Sequence, residues 1–169
     1  MQLRNATIDD LQLLNRWDEQ PHVVASDPHD DWGWETELKK RPAWREQLIA
    51  EDAGRPIGFI QIIDPALEEG HYWGEIEANL RAIDIWIGEE SDLGRGFGSQ
   101  MMRLALTRCF ADQSVTAVVI DPLASNTRSH GFYRRFGFEP IGRRQFGLDD
   151  CLVHRLERSD WSRTCKRDS

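Results

Sequence analysis

The spacing of apolar and polar positions changes along the chain, and each change predicts a new element. The opening stretch QLRNAT predicts a short strand. Apolar residues at Leu11, Leu14 and Trp17 then recur at helical spacing behind Thr7, which suits an N-cap, so an amphipathic helix is expected. The next segment, QPHVVASDPHDDWG, is rich in turn residues and predicts a loop. WETELKKRPAWREQ predicts one or two short helices interrupted at Pro42.

The middle of the chain is more apolar and predicts strands separated by turns. LIAEDAGRPIGFIQIID predicts a hairpin of two strands joined at residues 53–55. AIDIWIG predicts a compact apolar strand after an acidic stretch. DLGRGFGSQMM then crowds three glycines together and opens an amphipathic helix that extends to about Phe110.

The last third predicts one more strand, one more helix and a closing pair of strands. VTAVVID has the composition of a buried strand, and a helix is expected over residues 126–136 with Gly137 as its left-handed stop. FEPIGRR and DDCLVHRLE predict the closing strands, and the polar segment RSDWSRTCKRDS predicts a loose tail. This order of elements favours an α+β fold with a mixed sheet, in one domain over residues 1–157 followed by a polar tail over residues 158–169.

Composition narrows the partners that the chain can bind. The 169 residues suit one domain, and 29 acidic against 21 basic residues give a net charge of −8, which disfavours nucleic acid and favours a cationic small molecule. Cys109, Cys151 and Cys165 are odd in number and form no CxxC, so reduced thiols are expected rather than disulfides or a zinc site. No leader-like segment and no apolar run near the length of about 18 residues needed for a membrane span are present, which predicts a cytoplasmic protein.

The glycine cluster suits contact between the backbone and an anion. Gly94, Gly96 and Gly98 lie where a strand passes into a helix, so N–H groups and the positive end of the helix dipole would converge there and predict a pyrophosphate cradle. The P-loop pattern GxxxxGK[ST] is absent, and the dinucleotide pattern GxGxxG fails because Ser99 holds its sixth position. The alternative is that these glycines only form a tight turn and a close helix–sheet contact.

A second motif follows downstream, in SNTRSHGFYRRFGFEPIG. The spacing of Asn126, Tyr133 and the pair Gly137-Phe138 matches a motif of the GNAT superfamily of acetyl-CoA-dependent N-acyltransferases. Together with the glycine loop, it makes the chain resemble that superfamily. In the family's loop pattern, Arg/Gln-x-x-Gly-x-Gly/Ala, this chain departs at the first position, which holds Leu93.

The resemblance implies a single-domain, mostly antiparallel sheet that is splayed at its central strands and flanked by helices. It also implies that acetyl-CoA is the co-substrate, with its pantetheine arm along the strand IDIWIG and the Ile87 N–H donating to the thioester oxygen. The implied cofactor contacts are Ile85, Trp86, Ile87, Leu93, Gly94, Arg95, Gly96, Phe97, Gly98, Ser99, Asp121, Asn126 and Tyr133.

The acceptor side depends on acidic residues. Asp84 stands inside the apolar strand AIDIWIG, where it is either a solvated edge residue or, as we favour, a cleft residue. EEGHYWGEIEANLRAID resembles the aminoglycoside 6′-N-acetyltransferases, antibiotic-resistance enzymes, which implies Asp84 as the base and Tyr133 as the acid. The implied acceptor contacts are Trp17, His22, Glu69, Tyr72, Glu75 and Asp84. For Glu68, Glu75 and Glu77 a solvated charged loop is an equal alternative.

Other functions stay open at this point. Related branches of the superfamily acetylate siderophore-type lysine derivatives or protein N-termini, and a catalytically idle CoA-binding sensor is a further possibility. A metal site is not expected, because the five histidines lack ligand spacing and most of them are expected in loops or at the surface. The chain is expected to be a monomer or a homodimer, without nucleic-acid or membrane partners.

Overall fold

The computed structural model describes the backbone of residues 1–167 and the side chains of residues 1–163. The strands are β1 (Gln2–Asn5), β2 (Arg45–Asp52), β3 (Arg55–Ile63), β4 (Leu80–Ile87), β5 (Ala117–Ile120), β6 (Glu139–Phe146) and β7 (Asp149–Glu157). The helices are α1 (Leu11–Asp18), α2 (Pro21–Ser26), α3 (Trp34–Glu37), α4 (Phe97–Ala111), α5 (Thr127–Arg134) and α6 (Arg158–Arg167), with 3₁₀ turns at Ile8–Asp10 and Glu90–Asp92.

The strands follow the order β1-β2-β3-β4-β5-β7-β6 in one sheet. The pairs β1–β2, β2–β3, β5–β7 and β6–β7 are antiparallel, whereas β4 and β5 run parallel. The prediction of an α+β fold with a mixed, mostly antiparallel sheet is therefore confirmed.

The chain divides into two compact units. The first unit comprises Met1–Ile63 and Ile83–Arg108. Its β2–β3 hairpin turns at Ala53 and Gly54, with φ of 49° and 79°, as the sequence predicts. Its core is a cluster of large apolar side chains: Ala6, Leu14, Trp17, Trp34, Leu38, Ile49 and Phe59.

The second unit comprises Asp64–Ala82 and Cys109–Ser169. The parallel pairing of Leu80 with Ala117 starts its part of the sheet, and the β6–β7 hairpin completes it. Cys109 and Cys151 are buried thiols of this unit, and the side chain of Cys165 lies outside the described residues.

Two N-terminal segments differ from their predictions. The expected loop after α1 contains helix α2, which begins with Pro21 at a position where its missing N–H costs nothing and buries Val23. Downstream, only α3 forms, with four residues, before the chain enters β2 at Arg45.

The predicted loose tail is instead a helix as far as the structure describes it. Arg158, the first residue of α6, donates to the carbonyls of Phe110 and Val115 at 3.1 and 2.6 Å. Trp161 is buried and stacks on the Phe110 ring with centroids 6.1 Å apart. These contacts order a segment whose composition is polar, and residues 168–169 lie outside the described part. The described residues contain no helix that is both long and apolar enough to cross a membrane.

Candidate active site

The glycine loop, residues 93–99, leads into α4. Gly94 and Gly96 have φ of 74° and 83°, in the left-handed region that favours glycine. A Cβ added at either position would meet nothing within 4 Å among the described residues, so the backbone is open there. Gln100 N–H makes a helical bond to the Gly96 carbonyl, so the N–H groups before it belong to the unpaired first turn of the helix. This arrangement suits an anion such as pyrophosphate.

A buried carboxylate that sequence reasoning missed anchors this loop. Asp92 is 2% exposed and accepts from both Arg55 Nη atoms at 2.6 and 2.9 Å, and from Arg95 Nη1 at 2.7 Å. The hydrogen bonds from Arg55 hold the pKa of the Asp92 carboxyl below its usual range, against the opposing effect of burial. Arg95, expected at the cofactor, therefore has its guanidinium on Asp92. The one sequence signal is an acid three residues before an arginine in the glycine loop.

Asp84 is half-buried in β4 and belongs to a polar chain across three strands. Gln61 Nε2 donates to Asp84 Oδ2 at 2.9 Å, and Gln47 Nε2 donates to Gln61 Oε1 at 3.2 Å. The bond from Gln47 orients the Gln61 amide with its nitrogen toward Asp84. The carboxylate is thus held in one direction by residues of β2 and β3.

Trp17 and His22, both expected at the acceptor, lie together at the C-terminal end of β4. The His22 Nε2 is 2.8 Å from the Ile87 carbonyl oxygen, and Trp17 Nε1 donates to Glu89 Oε1 at 3.1 Å. A Cβ added to Gly88 would lie 2.0 Å from the Trp17 ring, so this close approach requires glycine. Trp17 is fully buried in the core, and His22 is half-buried.

An aromatic cluster that the sequence did not reveal covers the same part of β4. The half-buried Trp86 packs on Phe59 and Trp32, with ring centroids 4.6 and 5.0 Å apart. Trp32 in turn stacks on Trp34 at 5.0 Å. The indole of Trp86 therefore faces aromatic neighbours, while its backbone belongs to the strand.

The second motif forms helix α5 as predicted. Asn126 is its N-cap, with Oδ1 accepting from Ser129 N–H at 3.1 Å, and Gly137 has a φ of 90° beyond its end. Tyr133 is buried, and its ring meets Phe138 edge to face at a centroid distance of 5.9 Å. The Asn126 oxygen thus has a structural partner, and only its amide nitrogen could donate to a ligand.

Most of the five histidines were expected in loops or at the surface, but two of them are buried near Tyr133. His130 Nδ1 and His154 Nε2 are 3.0 Å apart, and His130 Nε2 is 3.1 Å from the Ala124 carbonyl oxygen. Because a carbonyl only accepts, His130 Nε2 carries a proton. Burial and the nearby His130 and Arg134 lower the pKa of His154 to about 4. The His154 ring centroid is 6.3 Å from that of Tyr133.

The segment between β3 and β4, residues 64–79, brings two predicted site residues together. Tyr72 donates its hydroxyl to Asp121 Oδ2 at 2.6 Å and stacks on Phe146 at 4.6 Å. Asp121 was expected at the cofactor. Burial raises the pKa of its carboxyl, and the hydrogen bond from Tyr72 partly offsets this.

The glutamates of this segment differ in their partners. Glu69 and Glu75 are exposed. Glu68 accepts from the Tyr72 N–H at 2.8 Å, and Glu77 pairs with Arg155, so these two carboxylates hold the segment itself. Among the described residues, no group of three or more His, Cys, Asp or Glu side chains could hold a metal ion.

Comparisons with known proteins identify the family. The profile of the GNAT acetyltransferase domain matches residues 7–146. The aminoglycoside N(6′)-acetyltransferase type 1 of Klebsiella pneumoniae is 32% identical over 155 residues, covering 83% of this chain and 74% of that protein. The kanamycin resistance protein of Rhizobium radiobacter is 36% identical over 77 residues, covering 45% of this chain and 71% of that protein. A crystal structure of an aminoglycoside acetyltransferase with coenzyme A and kanamycin superposes with a TM-score of 0.85 at 28% identity, covering 96% of this chain and 98% of that one. The chain therefore belongs to the GNAT family and is an acetyltransferase.

Proposed function

We propose that this enzyme transfers the acetyl group of acetyl-CoA to the 6′-amine of an aminoglycoside by direct attack. The observation that carries the proposal is Asp84, a half-buried carboxylate inside β4 that Gln61 holds in one orientation. A fixed carboxylate in the strand expected to carry the acyl donor suits a cationic amine as acceptor. The relatives are named for aminoglycosides and kanamycin, which are polycationic aminosugars, and the net charge of −8 agrees with such a substrate.

The cofactor side depends mainly on backbone groups. The open backbone at Gly94 and Gly96 and the first turn of α4 would hold the pyrophosphate of acetyl-CoA, with Leu93 to Ser99 as the lining. Ile85, Trp86 and Ile87 would bond the pantetheine arm. Acetyl-CoA supplies an activated acyl group, and the Ile87 N–H would donate to the thioester oxygen as negative charge develops on it.

Asp84 would have two tasks in the transfer. An alkylammonium has a pKa of about 10, so only about one amine in a thousand is neutral at pH 7. Asp84 would first bind the ammonium form and then accept one of its protons, which frees the nitrogen lone pair to attack the acyl carbon. The nitrogen loses its second proton as the tetrahedral intermediate collapses to the amide. The hydrogen bond from Gln61 keeps the carboxylate oriented through both steps.

Tyr133 would donate a proton to the departing sulfur, and the second proton released by the amine nitrogen would restore the phenol. Its phenol is buried on α5 and fixed by Phe138, so it suits donation to a thiolate in a dry site. Exposed Glu69 and Glu75 and the ring of Tyr72 would receive further ammonium groups and sugar faces of the acceptor.

An acceptor panel tests this function. Free CoA release should be fast with kanamycin-like aminoglycosides that bear a 6′-amine, and slow with matched aminoglycosides that carry a hydroxyl at that carbon. Nuclear magnetic resonance of the product should place the acetyl group on the 6′-nitrogen. Expression in the cytoplasm of a susceptible bacterium should raise the inhibitory concentration of the first group only.

The same panel includes the competing acceptors. Faster turnover of hydroxylysine derivatives or of peptide N-termini would contradict the aminoglycoside assignment. Binding of acetyl-CoA without turnover of any amine would favour a sensor.

A further inference from the structure

The last peptide groups of β4 have orientations that two contacts fix. The Gly88 N–H donates to the Ile57 carbonyl of β3 at 2.9 Å. The Trp86 carbonyl lies beside Gly58, also in β3, where an added Cβ would stand 2.3 Å from its oxygen. In a trans peptide, the form found throughout the described chain, C=O and N–H point in opposite directions. Both polar groups of Ile87 therefore point away from β3.

His22 binds one of these two groups. Its Nε2 lies 2.8 Å from the Ile87 carbonyl oxygen, and since a carbonyl only accepts, Nε2 carries the proton and donates. His22 Nδ1 is buried and has no hydrogen-bond partner among the side chains that the structure describes. The bond to Ile87 is thus the polar contact that orients the ring. Trp17 of α1 packs directly on Gly88, at the same end of the strand.

We propose that His22 is a positioning residue for acetyl transfer and acts through the Ile87 peptide groups. The inference rests on the proposed function, in which the Ile87 N–H donates to the thioester oxygen. His22 holds the peptide plane that follows Ile87, while the contact of the Trp86 carbonyl with Gly58 holds the plane that precedes it and contains the Ile87 N–H. Because the two planes meet at the Cα of Ile87, His22 restrains the end of the strand from the side away from β3 and so limits the movement of this N–H. A donor fixed in advance needs no reorganisation when charge develops, which is the source of its catalytic effect.

Two single variants separate the donor from the rest of the ring. A glutamine amide nitrogen reaches the position of the histidine Nε2, whereas an asparagine amide nitrogen reaches only that of Nδ1. His22→Gln thus keeps a donor to Ile87, and His22→Asn loses it. We expect kcat to fall about tenfold in His22→Asn and to stay within about twofold of wild type in His22→Gln. The Kd for CoA, measured by calorimetry, should be the same in all three proteins.

The carbonyl stretch of bound acetyl-CoA reports on the donor without any acceptor present. With ¹³C at the thioester carbon, infrared spectra of wild type and His22→Gln should show the same bound frequency. His22→Asn should show a higher frequency, because a misdirected N–H polarises the carbonyl less.

Two outcomes would overturn the role of His22. One is an equal frequency and an equal kcat in wild type and His22→Asn. The other is a higher KM for the amine at unchanged kcat, which would place His22 against the acceptor instead. Failure of the proposed function has a different signature: wild type would bind acetyl-CoA and acetylate no aminoglycoside, while the infrared comparison would still decide whether His22 orients Ile87.

Discussion

The glycine loop and the segment 64–79 are both irregular connections, yet they are held in different ways. The glycine loop is fixed by a buried group, because Asp92 accepts hydrogen bonds from Arg55 and Arg95. The backbone of Gly94 and Gly96 stays open. Segment 64–79 is fixed at a few side chains, among them Tyr72 on Asp121, and keeps several carboxylates exposed.

This difference agrees with the ligands that we propose for the two regions. Pyrophosphate is recognised by N–H groups, whose positions depend on backbone angles, so the loop must be rigid. An ammonium group is attracted by charge over a longer range and in many directions, so exposed carboxylates on a less constrained segment suffice. Variants of the first region should therefore affect CoA strongly, and variants of the second should affect the acceptor weakly.

Asp84 gives the largest expected effect, because we propose that it is the base and it lies in a strand, where Gln61 orients it. Asp84→Asn should lower kcat at pH 7 about 10²- to 10³-fold, since the variant cannot accept the proton of the ammonium. The loss should shrink as pH rises toward the amine pKa of about 10, where the substrate deprotonates unaided.

The measurement is kcat against pH for wild type and variant. Asp64→Asn is a matched control, because Asp64 is also half-buried but is paired with Arg81 at 3.1 Å. Equal profiles for wild type and Asp84→Asn would mean that Asp84 is not the base.

Gly96→Asp should have the next largest effect, and this effect should be confined to the binding of CoA. A side chain and a negative charge would enter the proposed cradle, at a φ that disfavours non-glycine residues. The Kd for CoA should rise about 100-fold, or about 2.7 kcal/mol, in calorimetry.

Gly147→Asp controls for backbone strain, because Gly147 also has a positive φ (56°) and open space around it, but lies in the β6–β7 turn. An unchanged Kd in folded Gly96→Asp would remove the pyrophosphate from this loop.

Changes at the exposed carboxylates should be smaller. Glu69→Gln and Glu75→Gln should each raise KM for the aminoglycoside about two- to threefold and leave kcat and the Kd for CoA unchanged, as solvent screens such contacts. High salt should abolish the difference from wild type. Exposed Glu139, in β6, provides the control Glu139→Gln. A tenfold rise in KM for either variant would contradict the prediction that these exposed carboxylates each contribute little to acceptor binding.

The carboxylates of Asp92 and Asp121 should have small and opposite effects on the way stability changes with pH. The folded pKa of Asp92 is lowered, so it contributes stability above its unfolded pKa of about 3.8, and that contribution is lost as pH falls through the folded value. The folded pKa of Asp121 is raised, so its effect on stability declines as pH rises from about 3.8 through the folded value.

Urea unfolding between pH 3 and pH 8 checks the two signs. Asp92→Asn should flatten the rise in unfolding free energy with pH, and Asp121→Asn should steepen it. The same sign in both variants would contradict the opposite pKa shifts.

The parts of the fold that sequence predicts well are those encoded locally. The hairpin turn at Gly54, the glycine loop and the cap and stop of α5 each depend on residues within a few positions of one another. Strands β3, β4 and β5 are recognisable as apolar stretches for the same reason. The local structure of the region proposed for the cofactor is therefore predictable from the spacing of its residues.

The missed features depend on residues far apart in the chain. Asp92 is hydrogen-bonded to Arg55, and Tyr72 to Asp121. No periodicity of the sequence connects such distant pairs. His130 and His154 are polar residues that are buried and share a hydrogen bond, although they are 24 positions apart in the chain. Segment 64–79, which we propose contacts the acceptor, is held by contacts of this kind, so sequence predicted its charge and not its arrangement.

The bonds of Arg158 also bear on the order in which the chain acquires its structure during synthesis. Arg158 satisfies the carbonyls of Phe110 and Val115, at and just beyond the end of α4, yet it is translated long after them. A nascent chain that has produced α4 and β5 still presents these carbonyls, and the face of Phe110 that Trp161 covers, to water and to chaperones. These contacts within the second unit can form only after α6 has left the ribosome.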